Sequence, residues 1–282
     1  MIKIYDEYDP YLEGGHFSSP RKNLGNKLFI YACCRVISEL LDYALICPEN
    51  ALIRREDSST NLYKNIEFPF KSVPGKIIDQ PLKVIQDGDI VGWGSIENLI
   101  NAYPNHGFLN QSYFSKYDYI KPYKDKIKKY YSCIIKEKRK EDDIVLMLRN
   151  SNHDGSFVLP DDYYLNILSK EKFDKLYISL DHFNKHQSLI SKLQEYNPII
   201  IDGNILDVFS EVTSFNKIVA AQGTFSFWAS LLSNASKIYW PLTNDGPNSG
   251  KTSNNIIYNT YVNLIVDDED RYEFINVNNI YA

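Results

Sequence analysis

The feature that most constrains the fold is a regular alternation of short apolar runs and amphipathic stretches in the second half of the chain. The first run, Ile144–Leu148, contains no polar residue, which is typical of a strand buried on both faces of a sheet. Alternation at this spacing predicts an α/β domain with right-handed crossovers and a mainly parallel sheet. The expected strands are 144–148, 175–179, 198–201, 217–221 and 237–240, and the expected helices are 160–168, 187–196, 206–214 and 225–232.

The first half of the chain carries a weaker version of the same pattern. A strand is expected at Ile2–Tyr5, and the apolar residues of 28–41 recur with the period of a helix. Gly25 permits a tight turn before this helix, and Asn26 is expected to cap its first backbone N–H groups. Further expected elements are short strands at 66–70 and 89–93 and a basic amphipathic helix over 122–140.

Length, charge and composition bound the class of protein. The 282 residues, 44 % of them hydrophobic, fit two folded domains, which we expect at 1–140 and 141–282. A formal net charge of -5 argues against a nucleic-acid-binding protein, and the basic residues of 121–140 are expected to form a solvated helix face. No membrane span or secretory signal is recognised, so a cytoplasmic location is expected. The cysteines lack metal-ligand spacing and are expected to be buried reduced thiols: Cys33, Cys34, Cys47 and Cys133.

Two segments that follow predicted strands carry groups suited to phosphate binding. Ligands of parallel sheets bind beyond the carboxyl ends of the strands. Arg149 ends the first strand, where an arginine requires an anionic partner, either a structural carboxylate or a phosphate. Gly223, followed by Thr224 and Ser226, joins a strand to a helix, so backbone N–H groups and hydroxyls point at one spot. Together these two elements could hold a pyrophosphate.

The segment Gly246–Thr252 is similar to a nucleotide-binding phosphate loop. That pattern requires four residues between its first glycine and the Gly-Lys pair, and this segment has three. Asp245 occupies the required glycine position, where its carboxylate would repel phosphate. A flexible surface loop is therefore expected, and a nucleotide hydrolase that depends on Lys251 is kept as a third function.

Four segments of the chain resemble the motifs of one protein family, in the family's order. They are Asn23-Leu24-Gly25-Asn26-Lys27-Leu28-Phe29-Ile30-Tyr31-Ala32, Gly107-Phe108-Leu109-Asn110-Gln111-Ser112-Tyr113-Phe114, Leu148-Arg149 with Leu159-Pro160-Asp161-Asp162-Tyr163-Tyr164, and Gly223-Thr224-Phe225-Ser226-Phe227-Trp228-Ala229. The family is that of the α-1,2-fucosyltransferases and their bacterial and viral relatives. The first segment resembles its motif Gly-Leu-Gly-Asn-Gln-Leu-Phe-Gln-Tyr-Ala, and the last resembles Ser-Ser-Phe-Ser-Trp-Trp.

The resemblance implies a GT-B type α/β fold, in which two Rossmann-like domains with mainly parallel sheets face each other. The N-terminal domain would bind the acceptor, and the C-terminal domain would bind the nucleotide sugar. The implied activity is inverting transfer of fucose from GDP-fucose to a glycan hydroxyl, in the synthesis of surface polysaccharide or glycoprotein glycans. The implied partners are the nucleotide sugar and the glycan acceptor, and neither a metal nor another cofactor is required.

The resemblance also implies roles for particular residues. Arg149 matches the arginine expected to neutralise the β-phosphate, and Asn26, preceded by Gly25, matches an asparagine near the sugar donor. Asp181 resembles the acidic residue that reads guanine. The turn beside the pyrophosphate is matched by Gly223, Thr224, Phe225 and Ser226.

A general base would assist the acceptor hydroxyl, and the candidates in loops that could face the cleft are Glu13, His16 and Asp154. Several positions depart from the family pattern, and the family's Gly-Asp after the second arginine is not preserved in register. Met147 replaces a histidine that helps to hold guanine, Asn150 replaces a second arginine, and Lys27 replaces a glutamine. A donor with another base, such as a UDP-linked sugar, therefore stays open. So does a non-catalytic glycan-binding protein on a degenerate transferase fold.

Overall fold

The computed structural model describes residues 1–4, 24–47, 52–56, 63–67, 71–85, 93–110, 112–149, 158–180, 186–242 and 263–277. The chain divides into two compact units. Unit 1 comprises Met1–Arg55, Tyr63–Tyr130 and Thr260–Asn263, and unit 2 comprises Glu56–Leu62, Tyr131–Asn259 and Leu264–Ala282. Each unit contains a sheet whose strands all run parallel, which confirms the predicted α/β class.

The secondary structure of residues 1–130 includes a four-stranded parallel sheet. In chain order the described elements are β1 (Ile2–Ile4), α1 (Leu24–Leu41), β2 (Leu45–Ile46), β3 (Leu52–Glu56), β4 (Tyr63–Glu67), β5 (Leu82–Ile85), α2 (Ile96–Ala102), β6 (Gly107–Asn110), α3 (Tyr117–Ile120) and α4 (Lys124–Tyr130). The parallel sheet has the order β2-β1-β6-β5, and β3 pairs with β4 in a separate two-stranded sheet.

Helix α1 supplies much of the core of unit 1. It begins at Leu24, before the predicted start, so Gly25 and Asn26 lie in its first turn. The predictions that Gly25 forms a preceding turn and that Asn26 caps the helix are therefore wrong. The first part of the predicted apolar stripe is buried, at Leu28, Phe29, Ala32, Cys33, Val36 and Ile37. Its last turn is not, because Leu40 is exposed.

The cysteines are free thiols, as expected, but they differ in exposure. Cys33, Cys34 and Cys47 are buried, and burial raises the pKa of Cys47 to about 12. A thiol that stays protonated is a poor nucleophile, so this residue packs as a small apolar side chain. Cys133 is exposed, and the prediction that it is buried is wrong.

Unit 2 follows the predicted strand–helix alternation. Its described elements are β7 (Ile144–Leu148), α5 (Asp161–Leu168), β8 (Leu176–Leu180), α6 (Gln187–Lys192), β9 (Ile199–Ile200), α7 (Ile205–Val212), β10 (Lys217–Val219), α8 (Thr224–Leu232), β11 (Lys237–Leu242) and β12 (Tyr272–Asn276). They form a six-stranded parallel sheet with the order β12-β11-β10-β7-β8-β9. Nine of these ten elements were predicted, and β12 was not.

Both faces of the six-stranded sheet are covered, which explains why β7 is apolar throughout. Ile144, Leu146 and Leu148 belong to a core cluster with residues of α5 and α6. The helices α7 and α8 carry aromatic side chains that pack edge to face, as in the Phe209–Phe225 pair, whose ring centroids are 5.4 Å apart. A strand between two such layers must be apolar at every position.

The basic helix predicted over 122–140 is shorter than expected. It ends at Tyr130, a 3₁₀ turn covers Ser132–Ile134, and the residues that follow form no helix. Tertiary hydrogen bonds replace the helical ones here. The Lys136 backbone N–H donates to Thr213 Oγ1 at 3.1 Å, and the Arg139 N–H donates to the Ser214 carbonyl at 2.8 Å.

Glu211 on α7 holds the same segment through its carboxylate. It accepts a hydrogen bond from Lys136 Nζ at 2.5 Å and pairs with the Arg139 guanidinium. Burial acts to raise the pKa of Glu211, but the hydrogen bonds from these two cations outweigh burial and hold the pKa below its ordinary value of 4.5. Such a carboxylate stabilises the fold above its unfolded-state pKa, and this stabilisation is lost as the pH falls through the folded-state pKa.

We expect Glu211→Gln to lower the free energy of unfolding at neutral pH, because two ion pairs are lost. The loss is only about 1 kcal/mol, since both ion pairs are partly exposed to solvent. The difference from the wild type shrinks in acid, where the wild-type carboxyl is protonated as well. Urea unfolding at about pH 7 and about pH 3.5 measures both values. The control is Glu137→Gln, at an exposed position, which is expected to leave the free energy of unfolding unchanged. If Glu211→Gln lowers the free energy of unfolding equally at both pH values, the electrostatic explanation is contradicted.

Candidate anion-binding site

The strand order of unit 2 reverses between β7 and β10. From β7 the chain adds β8 and β9 on one side of the sheet, and it then adds β10, β11 and β12 on the other side. This is the Rossmann strand order, in which ligands bind in the crevice outside the carboxyl ends of the two strands at the reversal. Arg149 follows β7, and Gln222 and Gly223 follow β10. The topology therefore brings the two predicted phosphate-binding segments to one point.

The ends of these two strands are in direct contact through Arg149. Val219 lies opposite Leu146 in the sheet register, so three residues further along Gln222 is level with Arg149. Arg149 Nη1 donates a hydrogen bond to the Gln222 backbone carbonyl at 3.1 Å. A carbonyl carries no formal charge, so this bond positions the guanidinium without neutralising it.

The backbone conformation favours glycine at residue 223, and the end of a flexible side chain occupies the space beside it. The φ angle of +109° lies in a region that side chains rarely adopt. A Cβ atom added there would lie 1.4 Å from Arg149 Nη1 and 2.7 Å from its Cζ. The group that lies against the Gly223 backbone is the Arg149 guanidinium.

Helix α8 begins directly after Gly223. The Phe227 backbone N–H donates to the Gly223 carbonyl at 3.0 Å, which is the first hydrogen bond of the helix. Gly223 has no side chain to cap the helix, and the first turn of α8 contains no acidic residue. Thr224 is half-buried, Ser226 is buried, and Phe225 anchors the helix against Phe209. The positive end of the helix dipole thus lies beside the Arg149 cation, and both favour an anionic ligand.

Two tyrosines of α5 hold the strand ends in place. The single hydroxyl proton of Tyr163 is shared between the carbonyls of Ala220 and Tyr239, which lie 3.0 and 3.1 Å from Oη. Tyr164 Oη donates to the Met147 carbonyl at 3.0 Å. Burial raises the pKa of Tyr163 well above its ordinary value, so the hydroxyl stays a neutral donor. The resemblance drew attention to this Tyr-Tyr pair, but no role had been predicted for it.

Met147 marks the clearest departure from the family pattern. Met147 is the second-last residue of β7 and lies two residues before Arg149. Only 3 % of it is exposed. A thioether is at best a weak hydrogen-bond acceptor, and it cannot donate. The base-binding role that the family gives to histidine at this position is therefore not available to Met147.

Unit 1 has its own strand reversal, between β1 and β6. Asn110 ends β6 and is buried, and its Nδ2 donates to the Ser112 carbonyl at 2.9 Å. Its Oδ1 accepts the Ser112 backbone N–H at 3.1 Å, which fixes the backbone after the strand. Sequence reasoning missed this residue, although an Asn followed two positions later by Ser is a signal of such a turn.

The structure assigns the predicted residues to different parts of the chain. Arg149 and Gly223 meet in unit 2 with Thr224, Phe225 and Ser226 close behind, whereas Gly25 and Asn26 belong to unit 1. Several predicted residues lie outside the described part of the chain: Glu13, His16, Asn150, Asp154, Asp181 and Lys251.

Within the part of the chain that the structure describes, no group of three or more histidine, cysteine, aspartate or glutamate side chains could hold a metal ion. No helix of that part is long and apolar enough to cross a membrane. No family model matches the sequence, and no curated protein matches it either. The fold is that of an α/β protein with two all-parallel sheets, consistent with two Rossmann-like domains, and in unit 2 Arg149 contacts the Gln222 carbonyl at the strand reversal.

Proposed function

We propose that this protein is a glycosyltransferase that takes its sugar from a nucleoside diphosphate donor bound in unit 2. The observation that carries the proposal is the contact between Arg149 and the Gly223 turn at the strand reversal. A guanidinium and a helix N-terminus at one point suit a diphosphate, which presents several anionic oxygens. The sequence resemblance supports the same substrate class independently.

The chemistry of transfer requires this kind of site. The acceptor hydroxyl oxygen attacks the anomeric carbon of the sugar, the bond from that carbon to the phosphate oxygen breaks, and the hydroxyl proton passes to a general base. Negative charge grows on the departing diphosphate, and Arg149 together with the first turn of α8 would stabilise it. Single displacement inverts the anomeric configuration. Glu13, His16 and Asp154 remain the proposed candidates for the base.

GDP-fucose is the sugar donor that the resemblance implies, and a glycan hydroxyl is the acceptor. Met147 weakens the argument for guanine, because its buried thioether offers no hydrogen bond of the required kind. A UDP-linked sugar is therefore the alternative donor within the same proposal. Arg149 and Gly223 contact the part that both donors share, which is the diphosphate.

The first test is a thermal-shift panel of GDP, UDP, CDP, ADP and ATP with and without Mg²⁺. We expect one diphosphate to stabilise the protein without metal, by about 2.7 kcal/mol at a hundred times its Kd, because it binds the native state alone. Inversion of configuration in the transferred sugar, followed by NMR with the matching nucleotide sugar, then tests catalysis. Stabilisation by ATP with Mg²⁺ alone would contradict the proposal and favour the hydrolase.

A second candidate function is a binding protein that holds a nucleotide sugar or glycan without turnover. Met147 favours it, since the family's histidine at this position is replaced by an apolar core residue. Binding of a nucleoside diphosphate combined with no transfer to any glycan in an acceptor array would support this candidate. Transfer to one acceptor would exclude it.

A further inference from the structure

Gln222 carries a buried polar atom for which the described residues provide no hydrogen-bond partner. The residue is 3 % exposed, and its side-chain Oε1 has no hydrogen-bond donor within the part of the chain that the structure describes. Its backbone carbonyl is used differently, because it accepts the bond from Arg149. Buried amide oxygens in native proteins are nearly always paired, and an unpaired one destabilises the fold. An oxygen of this kind beside Arg149 is a candidate acceptor for a donor that the ligand supplies.

The position of Gln222 makes this acceptor informative. It lies between the last residues of β10 and Gly223, level with Arg149 across the strand reversal. The guanidinium and the helix N-terminus are hydrogen-bond donors, and they attract phosphate oxygens. A carbonyl oxygen repels those same oxygens. The combination suits a ligand whose anionic group is accompanied by a hydroxyl or an N–H group.

We propose that Gln222 is a specificity-determining residue whose Oε1 accepts a hydrogen bond from a hydroxyl or N–H group of the sugar or nucleoside. This inference rests on the proposed function, because it assumes a diphosphate ester on Arg149. The site then distinguishes nucleoside diphosphates and their sugars from inorganic pyrophosphate, which at neutral pH offers anionic oxygens and few donors. Arg149 supplies affinity for the phosphates, and Gln222 selects what is attached to them.

The test variant is Gln222→Met, which keeps the side-chain length and removes the acceptor. The backbone carbonyl that positions Arg149 is retained. We expect the nucleoside diphosphate that the wild type prefers to bind about tenfold more weakly, because one ligand hydrogen bond is lost. Pyrophosphate affinity, measured by the same calorimetry, is expected to stay within about twofold. Gln187→Met, at an exposed position of α6, is the matched control and leaves both affinities unchanged.

A second readout does not depend on the ligand. Removing an unpaired buried oxygen is expected to raise the Tm of the unliganded Gln222→Met protein by about 2 °C or more, whereas loss of a structural hydrogen bond would lower it.

The outcomes separate the two proposals. If the wild type binds a nucleoside diphosphate and the variant binds it equally well, or loses pyrophosphate affinity in proportion, the role of Gln222 is overturned while the transferase stands. If the wild type binds pyrophosphate as tightly as any nucleoside diphosphate, the selectivity is overturned. Failure of the wild type to bind any diphosphate overturns the proposed function, and the role of Gln222 with it.

Discussion

Replacing Gly223 with alanine is expected to lower the affinity for the sugar donor about a hundredfold and the free energy of unfolding by about 3 kcal/mol. Two costs combine in this variant. The backbone at φ +109° is strained for any residue with a Cβ, and the new methyl group would overlap the Arg149 guanidinium, 1.4 Å from Nη1. The arginine must move, and its bond to the Gln222 carbonyl is lost. Calorimetric titration with the stabilising diphosphate and chemical unfolding measure the two effects.

Gly94→Ala is the matched control for backbone strain. Gly94 also has a positive φ, of +70°, but a Cβ built there meets no atom within 4 Å. This variant therefore bears the conformational cost without the overlap, and it is expected to lose about 1 kcal/mol of stability and no affinity. Equal behaviour of the two variants would show that the contact between Gly223 and Arg149 has no functional consequence.

Replacing Arg149 with lysine is expected to reduce sugar transfer about a hundredfold, equivalent to about 3 kcal/mol of transition-state stabilisation, while the fold is retained. Lysine keeps the positive charge, but its ammonium cannot make the planar two-pronged contact with phosphate. The bond to the Gln222 carbonyl is also made by one prong of that planar group. Turnover of the nucleotide sugar, compared with Tm, separates loss of chemistry from loss of folding.

The control for this exchange is Arg35→Lys. Arg35 lies on α1 and contacts Tyr31 and Glu39. The Arg35→Lys substitution therefore removes a guanidinium from a structural network of unit 1. We expect this variant to keep normal transfer rates. Near-normal turnover by Arg149→Lys would remove Arg149 from the proposed role.

The order of strands and helices in unit 2 was predictable because its strands are buried on both faces. β8 was expected at 175–179 and lies at Leu176–Leu180, and most other elements of this unit begin or end within two residues of their predicted bounds. The exception is α6, which was expected at 187–196 and ends at Lys192. The strand β12 was missed, since an edge strand of five residues with mixed polarity gives only a short alternating signal. The basic helix predicted over 122–140 was too long, because the backbone N–H groups of Lys136 and Arg139 donate to Thr213 and Ser214 instead of to helical carbonyls.

The sequence pattern predicted that Arg149 and the Gly223 turn lie at one edge of the same sheet, but it did not predict that they are in contact. Arg149 and Gly223 were each recognised from the strand end that they follow. Their contact depends on β7 and β10 being neighbours, and hydrophobic periodicity contains no information on which strands pair. Gln222 was missed for a related reason, because an unpaired amide oxygen is a property of packing.

The pairing of β7 with β10 also ties the site to the order of events in folding. Arg149 and Gln222 are 73 residues apart in the chain, and α5, β8, α6, β9 and α7 lie between them. Closing a segment of this length is a slow, non-local step, and during synthesis β10 becomes available only after all of these elements. A partly made or partly folded chain therefore has no crevice to fill. Ligand binding reports that β7 and β10 have paired, and nucleotide added to a refolding reaction would slow unfolding without accelerating the early steps of folding.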